Sequence, residues 1–107
     1  MRRNKYGAIR TSVDGITFAS AKEARRYGEL KILQKAGIIS NLQLQVKMPV
    51  VVNGVFICNY FADFAYLDHE REAPLMVFCD VKGMKTPVYR LKKKLVEALY
   101  RTKITET

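Results

Sequence analysis

The sequence predicts an α+β domain in which a mixed or antiparallel sheet lies between two helices. Three observations carry this prediction: residues 21–36 stand between a helix start signal and a helix stop signal, an Asn-Gly pair separates two apolar strand-like stretches, and Thr86-Pro87 opens a second helical stretch. The 107 residues are 49% hydrophobic and 27% charged, which suits one globular domain and excludes a disordered or fibrous chain.

The first part of the chain predicts a basic arm, a small hairpin and a helix. Residues 1–19 form the arm and the hairpin, since Asp14-Gly15 is a strong turn signal. Ser20 to Glu23 fits a capping box, in which the serine and the glutamate side chains each accept from the other's backbone amide. Gly37 is typical of a helix stop. Helix one is therefore predicted over about residues 21–36.

The middle of the chain predicts three strands. Residues 42–47 alternate between apolar and polar, and Pro49 then predicts an edge strand or a bend. Asn53-Gly54 predicts a type I′ hairpin turn into a long second strand over 56–67. A polar loop leads to a third strand over 75–82, which is rich in Val, Phe and Met.

The last part of the chain predicts helix two. Thr86 is the N-cap and Pro87 takes the first helical position, and the helix runs to about Tyr100. An apolar face at helical spacing is formed by Val88, Leu91, Leu95, Ala98 and Leu99. Residues 102–107 either form a short last strand or fray.

The charge of the chain predicts a polyanionic partner. The net charge is +9, and nucleic acid is the usual partner of so basic a small domain. Residues 1–35 and 82–107 carry +6 each, whereas residues 36–81 carry −3. The basic ends explain binding to a polyanion, but the acidic middle needs a separate explanation.

The cellular compartment is predicted from two features that the sequence does not contain, a membrane-spanning segment and a secretory signal. There is no run of about 18 apolar residues, and the basic N-terminus is not followed by an apolar segment, so we expect no membrane association and a cytoplasmic location. Cys58 and Cys79 lie in apolar stretches without zinc-site spacing. We expect buried free thiols, the alternative being a disulfide between neighbouring strands.

Glu23 lies in the middle of the predicted buried stripe of helix one. At about 100° per residue, Tyr27 and Leu30 flank the direction of the glutamate. A carboxylate that faces a core needs a partner or a metal ion. The alternative is that Glu23 only closes the capping box.

Two further acids interrupt strand-like stretches. Asp63 lies in an apolar and aromatic run, and Asp80 precedes Lys82 by two residues, which places both on one strand face. The alternatives are a strand-end cap for Asp63 and a surface ion pair for Asp80 and Lys82. Carboxylates that share one point with a lysine suit metal-assisted phosphodiester hydrolysis, because carboxylate oxygens bind Mg²⁺ and a lysine can orient water and offset charge.

The ordered set of acids and lysine resembles the PD-(D/E)XK nuclease superfamily. It is most similar to small phage-encoded nucleases related to Holliday-junction-resolving enzymes. The resemblance covers about residues 5–100 and rests on Lys5-Tyr6-Gly7-Ala8, the run from Asp14 to Ala24, Tyr27-Gly28-Glu29-Leu30, the run from Ala36 to Leu42, Tyr60 to Phe64, and Asp80-Val81-Lys82-Gly83. It implies a restriction-endonuclease-like core.

The resemblance also implies roles for particular residues. Glu23 resembles the helix-one acid, Asp63 and Asp80 match the two motif acids, and Lys82 matches the motif lysine, although Ala62 stands where the motif name implies proline. The three acids are thereby expected to hold Mg²⁺, for which Mn²⁺ should substitute. Gln45 resembles an accessory glutamine, the alternative being a solvated strand residue.

The resulting functional prediction is a single nuclease domain over residues 1–107, with its core over 20–101, that cuts branched DNA in the bacterial host cytoplasm if it is phage-encoded. A homodimer is expected because a junction has two symmetric strands to cut. The predicted DNA contacts are Lys5, Arg10, Lys22, Arg25, Arg26, Lys85, Arg90, Lys93 and Lys94. The alternatives are a non-catalytic DNA-binding protein and a nuclease of linear duplex DNA.

Overall fold

The computed structural model describes residues 10–70, 73, 75–81 and 85–107. Their elements are β1 (Thr11–Val13), β2 (Ile16–Phe18), α1 (Ala21–Lys35), β3 (Ile39–Val52), β4 (Val55–Asp68), β5 (Leu75–Asp80), α2 (Pro87–Tyr100) and β6 (Ile104–Glu106). The predicted α+β class is confirmed, with a fourth strand in the sheet. The basic arm over residues 1–9 and the predicted turn at residues 83–84 lie outside the described residues.

Both predicted hairpin turns form. In the β1–β2 hairpin, Asp14 and Gly15 have φ angles of 54° and 75°, and in the β3–β4 hairpin Asn53 and Gly54 have φ angles of 50° and 77°. Positive φ at both central residues defines the type I′ turn, which glycine adopts without steric cost. The two-residue turn sets the register at the tip of the β3–β4 hairpin, and the register shifts between Val50 and Val51 and again between Ser40 and Gln43.

The main sheet is mixed and has the strand order β3-β4-β5-β6. The first two pairings are antiparallel, whereas β6 runs parallel to β5 and brings Glu106 beside Asp80. Helix α2 supplies the crossover that a parallel pairing requires. Residues 104–106 therefore form the short last strand, which was one of the two alternatives for this segment.

The predicted helix caps are present. Ser20 Oγ accepts a hydrogen bond from the Glu23 amide at 3.1 Å, and Thr86 Oγ1 accepts from the Tyr89 amide at 3.1 Å. Helix α1 ends at Lys35, and Gly37 follows with a φ of 79°. Local hydrogen-bond chemistry thus sets both helix starts.

Strand β3 runs through Pro49 rather than ending before it. Pro49 lies opposite Asn59 in the β3–β4 pairing, and Ile39 and Val52 bound the strand. β3 is the edge of the sheet, where proline can lie with its missing amide hydrogen on the unpaired side. The edge assignment is confirmed, and only the predicted strand length was too short.

Two hydrophobic clusters lie on opposite faces of the sheet. The α1 cluster contains Cys79 of β5 and the α2 cluster contains its neighbour Phe78, which alternation places on the other face. The remaining buried members of the α1 cluster are Phe18, Ala24, Tyr27, Leu30, Ile39, Phe64, Tyr66 and Val81. Those of the α2 cluster are Met48, Val50, Tyr60, Ala62, Val96 and Ile104.

Strands β3 and β4 change faces at one point. In β3, Leu44 packs on the α1 cluster and Val46 on the α2 cluster, although residues two apart normally share a face. In β4 the same change separates Phe64 from Ala62. Gln45 lies at the change in β3 and has a φ of 49°. This face switch lets one hairpin serve both helices.

Helix α2 buries a different face from the predicted one. Val88, Leu91 and Leu99 are exposed, whereas Val96 is fully buried. Leu95 and Tyr89 pack on the α2 cluster beside Val96. Polar contacts accompany this packing: Tyr89 Oη donates to Glu106, the Ile104 amide donates to Glu97, and Tyr100 Oη donates to the Pro49 carbonyl. Of the predicted apolar stripe, Leu95 faces the core, whereas Val88, Leu91 and Leu99 do not.

Both cysteines are free, as predicted, with Cys79 buried and Cys58 only partly so. No helix among the described residues is long and apolar enough to cross a membrane.

Candidate functional site

A cleft of about 350 Å³ lies between the β1–β2 hairpin, the start of α1 and the face switch of the sheet. Its lining includes three polar residues that the sequence singled out, Glu23, Gln45 and Asp63, and one predicted DNA contact, Arg10. The small hairpin contributes Thr17 to the opposite wall. The cleft therefore places Glu23 of α1 and Asp63 of β4 together with the basic side chain of Arg10.

Gln45 joins the acids of the helix and the sheet. Its Nε2 donates to Glu23 Oε1 at 3.4 Å and to Asp63 Oδ1 at 3.2 Å. The Asp63 distance is at the upper end of the usual range for N–H···O hydrogen bonds, and the Glu23 distance is longer than that range. Two carboxylate oxygens thus converge on one nitrogen.

The backbone of Gln45 is strained. A φ of 49° is uncommon for a residue with a β-carbon and costs about 1–2 kcal/mol. The flanking pairs Leu44–Phe64 and Val46–Ala62 put Gln45 opposite Asp63. Strain of this kind is concentrated where surrounding structure holds a side chain for a purpose.

Asp63 and Asp80 are joined through the backbone. The Asp63 amide donates to Asp80 Oδ1 at 3.0 Å, and the Val81 amide donates to Asp63 Oδ2 at 2.8 Å. These two bonds tie the centre of β4 to the end of β5. Asp63 also accepts from Gln45. Its carboxylate therefore links β4 to Gln45 of β3 and to Val81, the residue after β5.

The burial of the three acids is unusual. Glu23 and Asp63 are each 9% exposed, and Asp80 is 0% exposed. Buried carboxylates are rare unless they are paired or bind a cation, since desolvation disfavours the charged form. The prediction that Glu23 faces the buried side of α1 is confirmed, and so is the capping role of Ser20 beside it.

Oxygen donors of this kind suit a hard divalent cation. Within the described ranges, however, no three His, Cys, Asp or Glu side chains are grouped closely enough to hold a metal ion. The Gln45 amide lies between Glu23 and Asp63, where a cation would neutralise the same pair of charges. The donor set fits Mg²⁺ in chemistry, provided that the glutamine amide gives way.

A second polar cluster lies beyond Asp80, where α2 meets β6. Tyr89 Oη donates to Glu106 at 2.6 Å, and Lys85 and Lys93 approach the same carboxylate at 3.1 and 3.6 Å. The Tyr89 hydrogen bond lowers the pKa of Glu106, and the lysines add to the effect. Burial raises the pKa of Tyr89, and its hydrogen bond to Glu106 raises it further.

The predicted DNA contacts have different surroundings. Arg10 lines the cleft, and Lys22, Arg25 and Arg90 are exposed on the helices. Arg26 pairs with Glu29 at 3.1 Å, and Lys85 and Lys93 pair with Glu106. Lys5 and the motif lysine Lys82 lie outside the described residues.

A basic groove between α2, β5 and β6 was missed from the sequence. It has a volume of about 770 Å³, and Lys94 lines it together with Arg101 and Lys103, over a floor that includes Leu75 and Met76. Lys94 was a predicted DNA contact and Arg101 was expected on the basic face of helix two, whereas Lys103 was not singled out, because it follows α2 and helical periodicity gives no signal there. The sequence feature that indicates this groove is the series of basic residues around the end of α2, from Lys94 to Lys103.

Comparison with known proteins gives a family without an assigned activity. Residues 3–106 match the family described as "Protein of unknown function (DUF1064)". No curated protein and no solved structure matches the chain.

Proposed function

The chain belongs to this family of unknown function, and we propose from its site geometry that it is a metal-dependent endonuclease that hydrolyses DNA phosphodiester bonds, with branched DNA as substrate. The proposal includes a restriction-endonuclease-like core and a cytoplasmic place of action. The resemblance of the acid and lysine pattern to PD-(D/E)XK nucleases supports it.

One observation carries the proposal: buried carboxylates from α1 and β4 converge on one side chain inside an open cleft. Glu23 and Asp63 share Gln45, and Asp63 is in turn held by Asp80 and the backbone of β5. A purely structural role would leave unexplained why these charges are buried beside a cleft. A phosphodiester that enters this cleft would meet them directly.

The family resemblance assigns Mg²⁺ or Mn²⁺ to Glu23, Asp63 and Asp80; these side chains are not grouped closely enough to hold an ion in this structure, so in this proposal the ion would draw them together. The bound ion would neutralise charge at the phosphate and lower the pKa of the attacking water. Gln45 would turn its amide away from Glu23 and Asp63 and present Oε1, which is the atom that suits a hard cation. Arg10 would position the phosphate from the hairpin side of the cleft, and Lys82 would orient water.

The experiment is cleavage of labelled four-way junction, flap and linear duplex DNA with and without Mg²⁺ or Mn²⁺. We expect wild type to cut the branched substrates and Asp63→Asn, Asp80→Asn, Lys82→Ala and Glu23→Gln to lose at least 100-fold in rate, on the order of 3 kcal/mol. Binding, measured without metal, should persist in each variant.

Glu29→Gln is the matched control for Glu23→Gln. Both glutamates lie on α1, but Glu29 is exposed, and among the described residues its ion-pair partner is Arg26. An equal loss of cleavage rate in Glu23→Gln and Glu29→Gln would show that the substitutions act by destabilising α1. Retained cutting in Asp63→Asn would place the site elsewhere, and exclusive cutting of linear duplex would give a different substrate class.

A second candidate function is a DNA-binding protein without catalysis. Its support is that Asp80 is fully buried and holds the Asp63 amide, which is a structural task. In that case wild type binds every DNA in the panel, cuts none with either metal, and Asp80→Asn lowers stability while leaving the affinity for DNA unchanged.

A further inference from the structure

We propose that the basic groove between α2, β5 and β6 binds an acidic, extended peptide segment of a partner protein, which adds as a strand to the free edge of β5. The inference goes beyond nuclease activity. It concerns a surface other than the cleft, and it requires neither a metal ion nor DNA.

Strand β5 has a free edge at its start. On one side, Leu75, Met76 and Val77 pair with β4. On the other side β6 pairs only with residues 78–80, so within the described part of the chain no strand covers residues 75–77 there. Three residues of strand extend over about 10 Å. The backbone amides and carbonyls along an uncovered edge can pair with another chain.

The basic groove follows this edge. Its lining includes the three consecutive residues Leu75, Met76 and Val77. Alternation turns Leu75 and Val77 to one face of the sheet and Met76 to the other. A cavity that contacts all three therefore runs along an edge of the strand, and β4 already occupies the opposite edge.

The end of α2 forms the wall of the groove. The lining residues Lys94, Glu97, Ala98 and Arg101 follow one another at intervals of three and one, so they lie on one face of the helix end. Arg101 ends the helix with a φ of 53°, and β6 begins only at Ile104. The space left beside β5 has a volume of about 770 Å³, which lies within the roughly 300–1,000 Å³ of ligand-binding clefts.

Charge identifies the kind of peptide. Lys94, Arg101 and Lys103 are exposed in the groove, and none of the three has an ion-pair partner among the described residues. Glu97, the acid of the lining, already accepts a hydrogen bond from the Ile104 amide at 2.8 Å. The groove therefore offers three unpaired cations to a ligand that carries carboxylates.

The apolar part of the lining favours a peptide over DNA. Leu75 is 47% exposed, and Met76 and Ala98 line the same groove. The phosphates and sugars of DNA would leave this apolar surface and the strand edge without partners. A peptide strand would satisfy the edge by main-chain hydrogen bonds, cover Leu75 with apolar side chains, and bring its carboxylates to the cations.

Alternation in the added strand gives the sequence pattern of the peptide. Side chains on one of its faces would lie beside Met76 and the α2 wall, where Lys94 and Arg101 supply positive charge. Side chains on the other face would lie beside Leu75. We therefore expect acidic residues at every second position, with apolar residues between them.

The test is an NMR titration of isotope-labelled protein without metal or DNA. The probe is a hexapeptide of alternating Glu and Val with acetylated and amidated ends. We expect saturable shifts of the backbone amides of residues 75–77 and of Arg101, and none for Gln45 or Asp63 in the cleft. A peptide of alternating Lys and Val should not bind.

Two variants test the cations of the groove. Lys94→Gln and Arg101→Gln should each lower the affinity for the Glu-Val peptide by about threefold, which is the usual effect of one exposed ion pair. Lys31→Gln is the matched control, since Lys31 is an exposed lysine of α1 outside the basic groove, and its affinity should equal that of wild type. The thermal midpoint should show that all three variants fold.

N-methylated peptides test the addition of a strand. Two further Glu-Val peptides carry N-methyl groups on alternate residues, one in each phase, which removes amide donors and keeps every charge. We expect at least one of the two to bind about tenfold more weakly than the parent peptide, because main-chain hydrogen bonds are lost.

The absence of shifts at residues 75–77 with millimolar Glu-Val peptide would overturn the proposal. Equal binding of the parent and both N-methylated peptides would also overturn it, since the contact would then be purely electrostatic, and so would equal binding of the Lys-Val peptide. A short DNA duplex that shifts residues 75–77 more strongly than the peptide would assign the groove to nucleic acid instead. Cleavage assays depend on the cleft and a metal ion, so failure of the nuclease proposal would leave this titration interpretable.

Discussion

At the scale of single residues, Gln45 has the most demanding position in the fold. It combines a left-handed backbone with hydrogen bonds to two buried acids, and it lies where β3 changes faces. Alternating sequence made Gln45 look like its neighbour Gln43, because a period of two cannot show a backbone reversal. An accessory role for Gln45 was predicted from the family resemblance, and the structure shows its contacts with Glu23 and Asp63.

Replacing Gln45 separates the backbone cost from the chemical role. Gln45→Ala and Gln45→Gly both remove the amide, so we expect both to lose cleavage to the same extent, at least tenfold, or about 1.4 kcal/mol. Only glycine adopts a φ of 49° without steric cost, so its unfolding free energy should exceed that of the alanine variant by about 1 kcal/mol.

Urea unfolding and junction cleavage measure the two quantities on the same preparations. Equal stability of the glycine and alanine variants would contradict the strain at this position. A fully active glycine variant would show that the amide has no part in catalysis.

At the scale of elements, α2 and β6 are joined by side-chain polar contacts at both ends. Glu106 accepts from Tyr89, and Glu97 accepts from the Ile104 amide. The sequence predicted the start and the length of α2 from its N-cap and proline. It did not predict which face is buried, because the face that packs on the α2 cluster, with Val96, Leu95 and Tyr89, overlaps the predicted apolar stripe only at Leu95.

The Glu106 contact makes the attachment of β6 depend on pH. Because the folded-state pKa of Glu106 lies below the ordinary 4.5, its charge stabilises the fold above about pH 4.5. That contribution is lost as pH falls through the folded-state pKa. Glu106→Gln should therefore be less stable than wild type at pH 7, and the difference should shrink below pH 4.5.

Thermal or urea unfolding from pH 3 to pH 8 measures the difference. Tyr89→Phe should cost about 1 kcal/mol at neutral pH, the usual contribution of one hydrogen bond. Glu29→Gln is the control, since the exposed Arg26–Glu29 pair is expected to contribute little at any pH. A difference in unfolding free energy between wild type and Glu106→Gln that does not change with pH would contradict a stabilising role for the Glu106 charge.

At the scale of the whole molecule, the +9 charge divides along the chain into two basic ends and an acidic middle. This division is visible in the sequence without a structure. The sequence could not predict which cations are engaged, since the partners of Lys93 lie on its own helix and on β6. Arg10, by contrast, lines the cleft.

The salt dependence of DNA binding should tell these cations apart. In metal-free buffer, Arg10→Ala should reduce the slope of log affinity against log salt by about 1, since one phosphate contact is lost. Lys93→Ala should change the slope much less, because its ammonium is already paired with Glu97 and Glu106. Fluorescence anisotropy over a salt series measures both, and equal slopes for the two variants would contradict the difference.

The long hairpin has a consequence for the order in which the molecule folds. The Asn53-Gly54 turn is local, and pairing can spread from it along β3 and β4 until Gln45 meets Asp63. Glu23 joins them only when α1 docks, and Asp80 only when β5 pairs with β4. The cleft thus needs three separate pairings, and because the hairpin is the most local of them, we expect the Gln45–Asp63 pair to form before the carboxylates on either side of it arrive.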